Sequence, residues 1–313
     1  MIDVVTFGEA MVSLRSVQPI RVGGDLRMSV AGAEANVAIG LARLGHRVRW
    51  VGCTGADEFG ALVTRTLRGE GVDVSCAAEA EGPTALVVFE PRIADLTRVC
   101  YYRSGSAGSR LNVSHVGAAL ADGVRVLHLT GITAGLGREP LLAVRKAAER
   151  VCEAATVSLD VNYRSKLWSR GEAARALRPL MGRVDILIAS DDELALAAPA
   201  SARSEADQVE ALLERGVREV VVKRGAAGAE VFDAAGSSAR PAVAVPVKDT
   251  VGAGDAFVAG YLSGFLDGEP TAGRLGRAVT TGAFAVATAG DWEGLPARHE
   301  LDLLDAVPGS AIR

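Results

Sequence analysis

Apolar positions in this chain follow two rhythms. The first is a short, nearly unbroken run: VRVLHLTGI (124–132), TVSLDVN (156–162), VDILIAS (184–190) and EVVVKRG (219–225). Runs of this length, rich in β-branched residues, predict strands buried on both faces, the condition of a parallel sheet. The second is helical spacing, in EANVAIGLARLGH (34–46), DEFGALVTRTLRGEG (57–71) and PLLAVRKAAERVCEA (140–154). Gly45 and Gly71 stand where helices end, and Pro140 suits a first turn. MIDVVTFGEA opens directly as a strand, and RVRWVGCTG (47–55) reads as another. Strands alternating with helices predict an α/β domain with helices on both sides of a mostly parallel sheet.

Two segments break the rhythm. Residues 10–30, AMVSLRSVQPIRVGGDLRMSV, alternate polar and apolar around a Gly-Gly turn. Residues 82–103, GPTALVVFEPRIADLTRVCYYR, read as two strands around a Pro/Asp turn. Both look like half-exposed antiparallel strands. Together they predict a small sheet at one edge of the main domain, placed to act as a lid. No internal repeat or linker interrupts the chain, so residues 1–313 are expected to form one domain carrying these lid segments.

Composition narrows the function. The chain has 313 residues, 49% of them apolar, and a formal charge of −4. It is globular, with no basic surplus to neutralise phosphates, which argues against nucleic-acid binding. Cys53, Cys76, Cys100 and Cys152 lie far apart without zinc-ligand spacing and read as small core residues in a reducing compartment. No signal peptide and no apolar run of membrane-spanning length is evident, so the expected location is the cytoplasm.

The chemistry concentrates in DTVGAGDAF (249–257), followed by a helix apolar on every side. A helix of that kind is buried. Its mouth offers unpaired N–H groups and a positive dipole end, and Gly252 and Gly254 let a ligand approach the backbone. Asp255 in the same turn is either an acid favoured by the dipole or a base acting on a hydroxyl that attacks a phosphoryl group. No GxxxxGK[ST] occurs, and no GxGxxG follows the first strand, which argues against a P-loop and against a nicotinamide oxidoreductase. Four other stretches are candidates. Gly32, Ala33, Glu34 and Asn36 precede a helix, where Asn36 is either a cap or a polyol ligand. VVVKRGAAGAEVF (220–232) turns through Lys223, Arg224, Gly225, Gly228 and Ala229, as a hairpin or as a rest for a nucleotide. Asn162 and Arg164 follow a strand end, where α/β ligands collect. Tyr101, Tyr102 and Arg103 end the second lid segment.

AGAEANVAIGLARLG and DTVGAGDAF resemble the two signature segments of the ribokinase-like carbohydrate kinases, and the likeness spans essentially the whole chain. Within that family, YYRSGSAGS, HLTGIT, LDVNYRSKLWS, VVKRGAAGA and AGDWEG are similar to segments of the 2-keto-3-deoxygluconate kinases. The resemblance implies a three-layer α/β/α sandwich with a β-sheet lid that often forms a dimer interface. It implies ATP, Mg2+ and, in some members, potassium near Asp249. Asp255 would be the base, and the N–H groups of Gly252, Ala253 and Gly254 the anion hole. Gly32 to Asn36, Tyr101, Arg103, Arg164 and Asp291 would hold the sugar, with Arg103 on its carboxylate. Lys223 to Ala229, with Asn162, would cradle ATP.

Two departures bear on the substrate. Ser13 stands where sugar kinases of this family commonly carry an aspartate for sugar hydroxyls, which argues against plain ribose or fructose. The metal-associated Asn-x-x-Glu appears as SDDE, with Ser190 in place of Asn and Glu193 retained as a water-mediated partner of Mg2+. Phosphorylation of 2-keto-3-deoxygluconate by ATP is the expected activity. Another sugar kinase of the same family is the alternative, and a non-catalytic sugar or nucleotide sensor stands behind both.

Overall fold

The apolar runs become strands lying side by side. The computed structural model describes residues 2–93, 96–151 and 155–305. In chain order its strands are β1 (Ile2–Phe7), β2 (Met11–Ser16), β3 (Leu26–Ala31), β4 (Val48–Val51), β5 (Cys53–Thr54), β6 (Ala78–Glu79) and β7 (Leu86–Ile93). They continue with β8 (Leu96–Tyr102), β9 (Val124–Thr130), β10 (Thr156–Asp160), β11 (Ile186–Ser190), β12 (Glu219–Lys223), β13 (Ala229–Asp233) and β14 (Gly236–Arg240). The α-helices are α1 (Ala33–Arg43), α2 (Glu58–Gly69), α3 (Val113–Ala119), α4 (Gly131–Gly135), α5 (Arg138–Val151), α6 (Arg170–Leu177), α7 (Leu194–Ala197), α8 (Glu205–Glu214), α9 (Ala253–Leu266) and α10 (Thr271–Val286).

The main sheet runs β14-β13-β12-β11-β10-β9-β1-β4. From β12 to β4 all neighbours are parallel, and β13 and β14 close one edge as antiparallel strands. Side chains alternate between the faces. Phe7, Leu127, Leu129, Leu159 and Leu187 face a core shared with Ala143, Val144 and Ala147 of α5. Val4, Val126, Ile186, Ile188 and Val221 face the opposite core, under α1 and α9. Helices on both faces are why these strands show no polar alternation, and the α/β/α sandwich is the observed fold.

The long apolar run after Asp255 is α9, buried from Asp255 to Gly264. Gly260 lets α10 come close, since a Cβ there would lie 2.3 Å from Thr281 Oγ1 and 2.8 Å from the Arg277 carbonyl oxygen. The Thr281 hydroxyl donates to the Ala256 carbonyl at 2.8 Å.

The small sheet is present, in the order β3-β2-β7-β8. Its outer pairs are antiparallel, but the central pair is parallel, with Val12 opposite Leu86 and Arg15 opposite Phe89. The antiparallel reading holds within each segment, while the pairing between the segments is parallel. An α-helical crossover lies between the segments, and such a connection permits a parallel pair where a hairpin cannot. Asp95, expected in the turn of the second segment, lies outside the described residues, as does Cys152. The strand expected over 47–55 is split into β4 and β5 at Gly52, where a Cβ would lie 2.1 Å from the Trp50 ring. Cys53 is buried, whereas Cys76 and Cys100 are only half-buried. No helix among the described residues is long and apolar enough to cross a membrane.

Candidate active site

A cleft of about 430 Å³ lies between the small sheet and the C-terminal ends of the parallel strands, the position where open α/β sheets bind ligands. Met11, Val87, Phe89 and Val99 give it an apolar roof, and Gly252, Gly254 and Asp255 stand opposite. Gly252 is the N-cap of α9 in a left-handed conformation, φ 75°, with no side chain capping the helix. Only glycine fits there, since a Cβ would lie 1.9 Å from the Asp291 carbonyl oxygen. The first N–H groups of α9 have no intrahelical acceptor. Ala253 N–H leans on the Thr250 carbonyl at 3.4 Å.

Asp255 follows at once, 8% exposed. Asn36 Nδ2 donates to its Oδ2 at 2.8 Å, and Asn162 Nδ2 lies 3.5 Å from Oδ1. Asn162 holds φ 38°, a left-handed conformation uncommon outside glycine. Burial pushes the Asp255 carboxyl up to about 7, against the pull of Asn36, Arg164 and Lys223 and with the help of Asp160. A carboxyl poised near neutrality suits a general base.

Cations around it are mostly paired. Lys223 Nζ, 3.8 Å from where a Cβ on Gly254 would stand, donates to both oxygens of Asp160 at 2.9 and 2.8 Å. Arg103 pairs with Glu9 Oε2 at 2.5 Å, and the Ser106 hydroxyl donates to the other Glu9 oxygen. Arg103 also lies 5.6 Å from the centre of the Tyr101 ring, with Lys166 at 5.5 Å. Arg15 joins Asp249 to Asp291, and Ser13 donates to Asp291 at 3.4 Å. Burial raises the Asp291 carboxyl to about 6, against Arg15 and with Glu293 and Asp249 adding to it. Arg164, at the exposed mouth, donates to the Tyr163 carbonyl at 3.0 Å.

Of the candidates named from sequence, Gly32, Ala33 and Asn36 line the cleft from the start of α1, and Tyr101 and Arg103 from the small sheet. Asn162, Arg164, Glu193, Lys223 and Asp291 also line it. Others do not fit their expected roles. Glu34 is fully buried below the cleft, where Thr130 and Thr133 donate to it, and burial raises its carboxyl; it anchors α1 and cannot touch a sugar. Arg224 turns to Glu205 and Glu230 and braces the hairpin. Gly228 is required by packing, since a Cβ would lie 2.0 Å from the Arg240 carbonyl oxygen, and Ala229 is buried in β13. Gly225 is exposed at the turn. The Asp249 carboxylate holds a guanidinium where a monovalent cation was expected. Asn36 is not the cap of α1, which is Gly32; its Nδ2 donates to Asp255, while among the described residues its Oδ1 has no hydrogen-bond partner. Residues missed in sequence include Glu9, Asp160 and Arg15. Alternation along β2 could have found Arg15, which shares a face with Met11 and Ser13.

Comparison with known proteins assigns the chain to a family. The pfkB family carbohydrate kinase profile matches residues 1–298. The chain is 35% identical over 311 residues to the 2-dehydro-3-deoxygluconokinase of Thermoproteus tenax, covering 97% of this chain and 94% of that one. It is 33% identical over 312 residues to the enzyme of the same name from Bacillus subtilis (strain 168), covering 96% and 94%. A protein from E. coli described as ribokinase II, solved in complex with ATP and Mg2+, superimposes with a TM-score of 0.90 at 25% identity, covering 97% of this chain and 99% of the other. A profile matched over nearly the whole length, together with relatives of this identity, decides the assignment: the chain belongs to the pfkB family of carbohydrate kinases.

Proposed function

We propose that this kinase transfers the γ-phosphoryl group of ATP to the terminal primary hydroxyl of 2-keto-3-deoxygluconate, the acid also called 2-dehydro-3-deoxygluconate. The observation that carries the reading is Asp255: a buried carboxyl at about 7, fixed by Asn36 and set in the first turn of α9 behind the left-handed Gly252. The hydroxyl oxygen attacks the γ-phosphorus, its proton passes to Asp255, and the bond to the β-phosphate oxygen breaks to release ADP. Gly252, Ala253 and Gly254 N–H groups stabilise the charge on the transferred group, with Lys223 beside them. Arg164 meets the substrate carboxylate or the phosphates as an exposed fork. Arg103, already held by Glu9, closes the acid end of the sugar, and Asp291 accepts from sugar hydroxyls.

Mg2+ would neutralise and orient the phosphates. Among the described residues no group of three or more His, Cys, Asp or Glu is gathered to hold a metal, so the ion would be carried mainly by the nucleotide. Glu193 fits an outer position: both its oxygens accept backbone N–H groups, Tyr163 at 2.6 Å and Ser190 at 3.0 Å, which fixes it at the cleft wall. The turn around Gly225 would lie along the nucleotide. The small sheet also bears exposed Leu26, Met28 and Tyr102, which we read as a contact with a second copy of the chain; a single-chain mass by light scattering would remove that reading.

A neutral ketose is the second reading, favoured by the Glu9–Arg103 pair, which leaves Arg103 without spare charge. Coupled ADP release over acid sugars and ketoses separates the two. Asp255→Asn is expected to bind ATP and sugar while losing roughly 10²–10⁴ or more in kcat. Arg103→Met should raise KM for the acid sugar more than for fructose; equal effects would favour the ketose, and unchanged turnover in Asp255→Asn would remove Asp255 from the mechanism.

A further inference from the structure

Arg15 belongs to the small sheet, yet both ends of its guanidinium are bound to the main domain. Nη1 donates to Asp249 Oδ2 at 2.6 Å and Nη2 to Asp291 Oδ2 at 3.0 Å. The guanidinium carbon lies 4.1 Å from the centre of the Phe89 ring, and the side chain is 19% exposed. The two carboxylates stand on the two loops that shape the anion hole. Asp249 begins the loop that ends at Gly252, and its other oxygen accepts the Val251 N–H at 3.0 Å. The Asp291 carbonyl presses directly on Gly252. Gly290 N–H reaches Asp249 at 3.3 Å and ties one loop to the other.

The Asp249 carboxylate therefore already accepts from three donors, one of them a cation. The Val286 carbonyl behind it already accepts the N–H groups of Lys248 and Asp249, at 2.7 and 3.3 Å. These residues do not fit a potassium ion at the carboxylate. A guanidinium stays charged at every working pH and holds two carboxylates in one fixed fork. Burial opposes its charge, but Asp291 and Asp249 outweigh that penalty and raise its pKa.

We propose that Arg15 is a positioning residue, the built-in cation of the anion-hole loops, and that phosphoryl transfer by this enzyme consequently needs no monovalent cation. The inference rests on the kinase reading above. Because Arg15 comes from the small sheet, it also couples the roof of the cleft to the anion hole, which a free ion cannot do.

The test compares ADP release with 2-keto-3-deoxygluconate and MgATP in potassium, sodium and tetramethylammonium chloride at one ionic strength. The wild-type kcat is expected to agree within about twofold across the three salts. In tetramethylammonium, Arg15→Met should lose about tenfold or more in kcat with a smaller change in sugar KM. Potassium should restore part of that loss, and Arg15→Lys should fall between the two. Activation of the wild type by potassium of more than about fivefold overturns the proposal, as does an Arg15→Met enzyme with wild-type kcat, or one that potassium does not help. The wild-type comparison holds even if a variant fails to fold. If no sugar releases ADP in any salt, the kinase reading fails instead. The wild-type melting midpoint then carries the test: equal values in potassium and tetramethylammonium support a built-in cation, and a potassium-specific rise overturns it.

Discussion

At the scale of the residue, the decisive event is the burial of one carboxyl beside one amide. Burial raises Asp255, and Asn36, donating at 2.8 Å, is the first of the groups that hold it down. Removing that donor leaves the ionised form worse solvated, so the carboxyl rises further. Asn36→Ala should therefore shift the acid limb of the kcat–pH profile upward, by about one unit for a charged hydrogen bond. A limb that stays in place would separate Asn36 from the group that titrates in it. Asp255 and its glycines were legible in the sequence because they are contiguous and helix-end chemistry is local. The role of Asn36 was not, because its partner is 219 positions away. Separation along the chain likewise hid the pairs Arg15–Asp249, 234 positions apart, and Lys223–Asp160, 63 apart, because nothing local says which charges meet once the strands are assembled.

Among the elements, α9 shows how a site is held. It is buried on all sides, and α10 approaches it at Gly260 so closely that a methyl group would overlap Thr281 and the backbone of α10. Gly260→Ala improves helix propensity but overpacks this contact, and the overpacking is expected to win, costing about 1–3 kcal/mol. A lowered denaturant midpoint with an unchanged m-value would show it; a higher midpoint would mean that the helices separate freely. That α9 would be a buried helix followed from its uninterrupted apolar run. That β2 and β7 would pair in parallel did not, since alternation fixes which side chains share a face and says nothing of which strand lies alongside. At the break between β4 and β5 the chain leaves the main sheet, and β5 pairs with β6 instead, a change equally silent in a reading of periodicity.

For the whole molecule, the site has a thermodynamic cost. Between pH 3.8 and about 7 the folded chain keeps a proton on Asp255 that the unfolded chain has released. Folded stability from this group therefore rises as pH falls from about 7 toward 4, and the buried charge is a liability above that window. Asp255→Asn should melt at a higher temperature than wild type at pH 8, with a stability gain bounded by about 4 kcal/mol. The gap should close near pH 4, and a gap independent of pH would contradict the raised carboxyl. The parallel pairing of β2 with β7 has a consequence of another kind. No tight turn can form it, so the roof of the cleft can assemble only after the intervening helices and strands, α1 to α2, have folded back. In a kinetic experiment the roof should gain amide protection later than β1 and β9, so a chain with a finished core would pass through a stage that is compact, open and unable to shield a phosphoryl group from water.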